Sequence, residues 1–510
     1  MKNSTKNLDL FNNVDLRSQI LLTDHNTISS MHMSPTVSPE LKSDIHRVFA
    51  LQQQHHWEVA RCTPAQRIVK LRRLYDAILH RRKEIEAALW ADLRKSTTEV
   101  SITELGVVLH EIRHAIHHLQ SWMTPKHVGS SLTLFRSHSE IVYEPKGVCL
   151  VLSPWNFPVN LTLDPLVSAV AAGNCVILKP SEFSPNSNIV MRKIVSECFP
   201  PGEVSLFEGD ATVAQELLSL PFNHIFFTGS QHVGKIVMRA AAEHLASVTL
   251  ELGGKSPVVV DETANLEAAA AKIVWIKLMN AGQTCIAPDY VLVHESCHDT
   301  LVEKMKSKIK QFYGKTAEEI RQGPDLCRIV SERHFGQVKN LLEDATQRGA
   351  TLAFGGESLE NENYIAPTIL TNIPEESKIW EEEIFGPILA VRKYNTIEQA
   401  IAFINAQPRA LAMYIFCNED RRTSKIIAET RCGGVTVNDC GPHFYNSELP
   451  FGGSNNSGIG KCHGEFGFLE FSNQRGVLYQ AKWLPNTDFF LPPYGGKIRQ
   501  WLLEGVVKWF

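Results

Sequence analysis

Between Val148 and Leu250 the chain alternates short β-branched or apolar runs with helix-like segments, a rhythm that few folds accommodate. Val148–Leu152, Cys175–Leu178, Val204–Phe207, His224–Phe227 and Val248–Leu250 read as strands, and Leu161–Ala172 and Gln231–His244 as helices. Strands joined through helices lie parallel, and this alternation is the mark of βαβ units. A parallel sheet places its ligands at the carboxyl ends of its strands. The residues that follow each run are therefore where chemistry is expected.

A second α/β region starts near Pro257, with Val258–Val260 and Tyr290–Val293 as strands and Leu301–Phe312 as a helix. At 510 residues the chain is long enough for two or three domains with separate cores. Two helical patterns open the folded part. Thr63-Pro64 supplies a cap followed by proline, and Ser101-Ile102-Thr103-Glu104 fits a capping box. Leu132–Tyr143 and the piece near Gly476–Tyr479 have β character outside both α/β regions and are expected to pair as an extension that contacts another subunit. No internal repeat interrupts the folded region.

Composition narrows the function classes. A net charge of -4 with 21% charged residues and no long basic run argues against a nucleic-acid partner. The eleven cysteines are odd in number and contain no C-x-x-C pair, which disfavours a disulfide framework or a zinc site and suggests reduced thiols in a cytoplasm. No apolar stretch is long enough to span a bilayer, and the start of the chain lacks the layout of a secretory signal. Residues 1–40 read as a flexible polar leader. The amphipathic end, 493–510, suits packing or subunit contact, with peripheral membrane contact as the alternative.

The strand ends carry the motifs. Val148–Leu152 runs into Ser153-Pro154-Trp155-Asn156-Phe157-Pro158, where two prolines hold a rigid turn. There Asn156 can donate to a developing oxyanion or simply cap the next helix. After Cys175–Leu178 come Lys179 and Glu182, a donor and an acceptor suited to the hydroxyls of a ribose and equally to a solvated loop. His224–Phe227 leads into Thr228-Gly229-Ser230-Gln231-His232-Val233-Gly234, whose glycines would let backbone approach a pyrophosphate or merely make a tight turn. Val248–Leu250 ends in Glu251-Leu252-Gly253-Gly254, a carboxylate beside flexible backbone, as a mobile base requires. Farther on, Gly282-Gln283-Thr284-Cys285 offers a thiol nucleophile, although a cysteine is more often a small buried hydrophobe.

These motifs, with Glu383-Ile384-Phe385-Gly386-Pro387 and Pro450-Phe451-Gly452-Gly453, stand in one order over residues 45 to 490, and the chain resembles the NAD(P)-dependent aldehyde dehydrogenase superfamily. Trp122-Met123-Thr124-Pro125-Lys126, Cys285-Ile286-Ala287-Pro288-Asp289-Tyr290 and His463-Gly464-Glu465-Phe466-Gly467-Phe468 resemble its class 3 branch, which acts on fatty and aromatic aldehydes. The resemblance implies an α/β fold with a Rossmann-like cofactor domain over 41–131 and 144–252. It also implies a second α/β catalytic domain over 253–440 and a small β oligomerisation extension over 132–143 and 474–492. A homodimer is implied as well.

By the same resemblance, Cys285 attacks the aldehyde to give a thiohemiacetal, and the Asn156 amide and the Cys285 N–H hold the oxyanion. A thioester follows, and Glu251 activates the water that hydrolyses it to a carboxylic acid. The thiol's pKa is expected to be lowered locally. Lys179 and Glu182 fall on the adenosine ribose, Gly229, Ser230 and Gly234 at the pyrophosphate, Glu383 and Phe385 at the nicotinamide riboside, and Phe451 in the substrate tunnel or packed beneath the glycine pair. Glu182 favours NAD over the 2′-phosphate of NADP, with NADP still permitted. The chain departs from the class at Ser454-Asn455-Asn456 and Lys461-Cys462, which bears on substrate preference.

Two other functions stay in view. A coenzyme A-acylating dehydrogenase would release the thioester by thiol transfer, a reading that Glu251 opposes, and a noncatalytic nucleotide-binding or structural protein could keep the fold alone. His110, His114, His117 and His118 recur at helical spacing and could bind a metal. No carboxylate or cysteine pattern completes such a motif, and a solvated or salt-bridged helix face is the expectation, with no metal assigned.

Overall fold

The computed structural model describes residues 37–130, 134, 137–480, 491–493, 495–497, 500, 501, 504 and 505. Of the expected elements, the leader before residue 37, part of the 132–143 and 474–492 extension and most of the C-terminal segment lie outside them. All five expected strands form one parallel sheet in the order Val204–Leu206, Cys175–Lys179, Val148–Leu152, His224–Gly229, Ser247–Leu252. In sequence terms this is 3-2-1-4-5, the doubly wound order whose ligand crevice opens between the first and fourth strands. Alternation sorts their side chains into two cores. Cys149, Val151, Val176, Leu178 and Phe226 face helices Pro64–His80, Gly106–Trp122, Asn160–Ala172 and Pro185–Cys198. Val148, Leu150, Ile177, Ile225 and Phe227 face Pro39–Ala60 and Gln231–Ala242. Each buried aliphatic side chain of this kind stabilises the fold by about 1.5–3 kcal/mol.

Gly458–Ile459 adds an antiparallel sixth strand beside Ser247–Leu252, pairing Gly458 with Glu251. The second sheet runs Thr351–Phe354, Thr368–Thr371, Ile388–Tyr394, Tyr290–His294, Pro257–Val260, Ala412–Phe416, Gly434–Val437, parallel throughout except at its first pair. His138–Pro145 pairs antiparallel with Ser472–Tyr479 along their full lengths, and Lys126–Val128 adds a third strand not anticipated from the sequence. Among the described residues, no helix is long and apolar enough to cross a membrane.

The start signals divide. Thr63 caps Pro64–His80 in a capping box with Gln66. The box expected at Ser101 is not formed, because a helical turn already begins at Thr97, capped by Ser96, and continues through a π-helical turn, Ser101–Leu105. Ser101 instead bonds back to the Thr97 carbonyl at 2.7 Å. Glu104 is drawn inward by Lys95, whose ammonium lies 2.7 Å from it with both side chains fully buried.

Candidate active site

Two loops from distant parts of the chain meet at the crevice. The Asn156 loop leaves strand Val148–Leu152, and its backbone carbonyl accepts from Lys95 Nζ at 3.1 Å and Asn280 Nδ2 at 2.8 Å. The Cys285 loop leaves helix Leu266–Leu278 through Asn280, Ala281 and Gly282, all with positive φ, of +51°, +52° and +76°. Two consecutive non-glycine residues in this region cost energy and persist only where surrounding contacts fix them. The fixing contacts are present: Glu99 accepts the Asn280 N–H at 2.8 Å, and Gln283 binds the carbonyls of Asn280 and Arg328 and the N–H of Val330. A β-carbon at Gly282 would strike the Gly386 carbonyl, so bare backbone is required there.

A cavity of about 240 Å³ is lined by Asn156, Gly229, Ser230, Glu251, Cys285, Glu383 and Phe385, together with Trp155 and His334. Seven of the residues singled out from the sequence thus share one wall. Sheet register explains part of this, since Thr228 pairs with Glu251 and Gly229 with Leu252. Ser230 caps helix Gln231–Ala242, accepting the Val233 N–H at 3.4 Å, while Gly234 is buried against Leu252. Lys179 and Glu182 form an ion pair of 3.1 Å at the end of the neighbouring strand and are not part of this wall. Phe451 lies in a second, narrower cavity of about 30 Å³ that shares Glu251 and Cys285 with the first. There it stacks on His463 with centroids 5.0 Å apart and meets the edge of Phe444 at 4.9 Å, so it lines a cavity and packs at once.

The electrostatics differ from the expectation for the thiol. Burial, with Glu383 and Glu251 nearby, pushes Cys285 up to about 12, against the pull of the Cys285 and Ile286 N–H groups. The expected lowering is therefore corrected: burial, and after it two carboxylates contributed by distant segments, opposes a thiolate. Glu251 is 5% exposed, and neither carboxylate oxygen has an N–H or O–H partner among the described residues. Burial raises it to about 8. Glu383 is likewise raised to about 8, chiefly by burial, although the Gly254 N–H favours its charged form. The Asn156 amide spends one N–H on the Gln283 carbonyl at 3.0 Å, and its nitrogen carries a second.

Sequence reasoning missed the supports. Lys255 and Asp289 form a tight buried ion pair; Lys255 also donates to the carbonyls of Ile379, at 2.7 Å, and Glu382, at 2.9 Å. Asp289 accepts the Ile384 N–H at 2.9 Å, so the pair clamps the backbone on both sides of Glu383. Lys255 directly follows the Glu251–Gly254 run and Asp289 lies within the Cys285–Tyr290 run, but only their burial reveals the clamp. Of the four histidines, His114 and His118 lie with ring centroids 4.3 Å apart and planes tilted by 39°, and His114 reaches Glu448 at 3.6 Å, while His117 bonds the Arg113 carbonyl. His114, His118 and Glu448 offer three ligand atoms within 4.8 Å of one another.

Comparison with known proteins follows the same lines. The aldehyde dehydrogenase family profile matches residues 31–477. The 4,4'-diaponeurosporen-aldehyde dehydrogenase of Staphylococcus aureus is 42% identical over 84% of this chain and 92% of its own. Aldehyde dehydrogenase family 3 member A2 of Rattus norvegicus is 43% identical over 81% of this chain and 84% of its own. The substrate-bound structure of Staphylococcus aureus AldH superposes with a TM-score of 0.85 at 40% identity, covering 90% of this chain and 99% of that one. The chain belongs to the aldehyde dehydrogenase family and is an NAD(P)-dependent aldehyde dehydrogenase.

Proposed function

We propose that the enzyme oxidises medium- or long-chain aliphatic or aromatic aldehydes to carboxylic acids, with Cys285 as nucleophile, Asn156 as oxyanion donor and Glu251 as base. The observation that carries this reading is the convergence of all three on one cavity, with Glu251 buried and neither of its oxygens bonded by an N–H or O–H group among the described residues. Attack by the sulfur on the carbonyl carbon gives a thiohemiacetal whose oxygen is met by the Asn156 amide and the Cys285 N–H. A bound nicotinamide nucleotide would supply the hydride acceptor needed for this adduct, held by Cys285 and Asn156, to become a thioester. Glu251 then takes a proton from water as its oxygen attacks the thioester carbon, and the thiolate leaves. With its pKa raised to about 8, Glu251 gains capacity as a base as pH rises towards and beyond that value.

The chain's residues fit the nucleotide. Gly229 ends its strand and Ser230 caps a helix of 12 residues at the crevice, which suits a pyrophosphate; a β-carbon at Gly229 would meet the Phe227 ring at 2.5 Å. Lys179 and Glu182 suit a ribose diol, and Glu383 with Phe385 the second riboside. This supports 144–252 as the core of the cofactor domain and 253–440 as the catalytic domain. The exposed Leu478 and Tyr479 on the three-stranded sheet support a homodimer, and eleven free thiols support a cytoplasmic setting.

The test is initial-rate formation of NADH and NADPH over short, long and aromatic aldehydes, with Cys285→Ala alongside. Loss of turnover in the variant with retained nucleotide binding is expected. Full turnover without the thiol would refute the assignment, and consumption of added coenzyme A would favour acyl transfer.

A further inference from the structure

A buried base that takes a proton from water must lose it before the next turnover, and the steps above give Glu251 no exit. His463 shares a second cavity with Glu251, apart from the larger one that Glu251 also lines. The cavity of about 30 Å³ brings it together with Glu251, Cys285 and Asp164, in a volume close to that of one water molecule. On its other side, an outer cavity of about 280 Å³ is lined by His463 with His110, Glu111, Arg113 and Ser447.

The imidazole is held in place between them. His463 Nε2 lies 3.3 Å from Asp164 Oδ2, while Asp164 Oδ1 is buried without a partner among the described residues. Glu111 accepts the Gly464 N–H at 2.5 Å and the Ser447 hydroxyl at 2.8 Å. That contact fixes a turn in which both His463, at φ +70°, and Gly464, at φ +52°, are left-handed. None of these buried ionisable groups has a part in the steps assigned to Cys285, Asn156 and Glu251.

We propose that His463, held by Asp164 and by the Glu111–Gly464 contact, carries the proton from Glu251 to the outer cavity. The inference rests on Glu251 being the base. The hydrolytic water's O–H bond breaks as its oxygen bonds the thioester carbon; the proton goes to the Glu251 carboxylate, then to an imidazole nitrogen of His463, and from there to solvent, restoring both groups. His463 is faced by Asp164, Glu111, Glu251 and His443. Burial opposes its charged form, but the three carboxylates together outweigh that and raise its pKa above the ordinary value. Glu111, pushed up to about 7 mainly by burial and then by Asp164, can share the proton.

The test separates thioester formation from its hydrolysis by rapid mixing of the full-length enzyme with NAD+ and a good aldehyde substrate. In His463→Asn, a burst of about one NADH per site should persist. Steady-state turnover should fall about tenfold or more and recover in part with added imidazole. Asp164→Asn should slow the same phase and shift its pH profile. Unchanged steady-state turnover in His463→Asn, a burst that slows in parallel with no imidazole rescue, or an unshifted Asp164→Asn profile would overturn the relay. Glu251→Gln, run alongside, distinguishes the two readings. Turnover surviving in it removes the base assignment, whereas turnover lost there but kept in His463→Asn removes the relay alone.

Discussion

Glu251→Gln should abolish turnover and yet stabilise the protein at alkaline pH. Burial raises the Glu251 pKa from 4.5 to about 8 in the folded chain. A carboxyl whose folded pKa lies above its unfolded value binds its proton more tightly when folded, so it destabilises the fold progressively as pH rises from 4.5 towards 8. Below that window both states are protonated and the penalty vanishes. Glutamine has nearly the same shape and, like the protonated acid, is neutral, so it lacks the titrating penalty. Linkage gives a relative gain for Glu251→Gln of about 3 kcal/mol between about pH 5.5 and pH 8.5, taken as an upper figure. Thermal or urea unfolding of both proteins at the two pH values measures it, with NADH formation assayed on the same samples. A stability difference that does not grow with pH would refute the raised pKa. A difference that grows alongside unimpaired catalysis would keep the buried acid but deny it the role of base.

Other expectations follow from the supports of the site. Lys95→Met leaves Glu104 buried without its cation and should cost about 3–5 kcal/mol in urea unfolding, with lowered activity as the Asn156 carbonyl keeps only its bond from Asn280; unchanged stability would show that Glu104 takes up its proton at little cost. Gly282→Ala pushes a β-carbon into the Gly386 carbonyl and should sharply lower both melting temperature and kcat, whereas Gly336→Ala, which meets nothing within 4 Å, serves as the control. Removing the Glu182 charge with Glu182→Gln should raise the NADPH-to-NADH ratio of kcat/KM by about fivefold, since a half-exposed carboxylate beside a 2′-phosphate repels it by about 1 kcal/mol; an unchanged ratio would move nucleotide choice elsewhere.

Much was legible in the sequence because it was local. The runs at Val148–Leu152 and His224–Phe227 are apolar, bounded by proline or glycine, and too short for helices, so strand identity and the position of each carboxyl end came from neighbours a few residues away. With parallel pairing, that placed Asn156, Gly229 and Glu251 along one edge. The failure at Ser101-Ile102-Thr103-Glu104 has the opposite origin. The pattern was correct as a local motif, but Glu104 gains more from Lys95 in the interior than from a backbone N–H at a helix start, and Ser96 had already begun the helix.

What only the tertiary structure decided is the electrostatic state of the site. Motif order names a thiol and a carboxylate but not their surroundings; burial first, and then the nearness of Glu383 and Glu251 from separated segments, drives the thiol's pKa up rather than down. The same holds for the Lys255–Asp289 clamp and for His463 with Asp164 and Glu111, whose partners lie hundreds of residues apart in the chain. Secondary structure follows from short-range sterics and periodicity, which a sequence carries at each point. Charge, desolvation and proton traffic depend on which distant groups share a low-dielectric space, and only the folded chain brings those groups together.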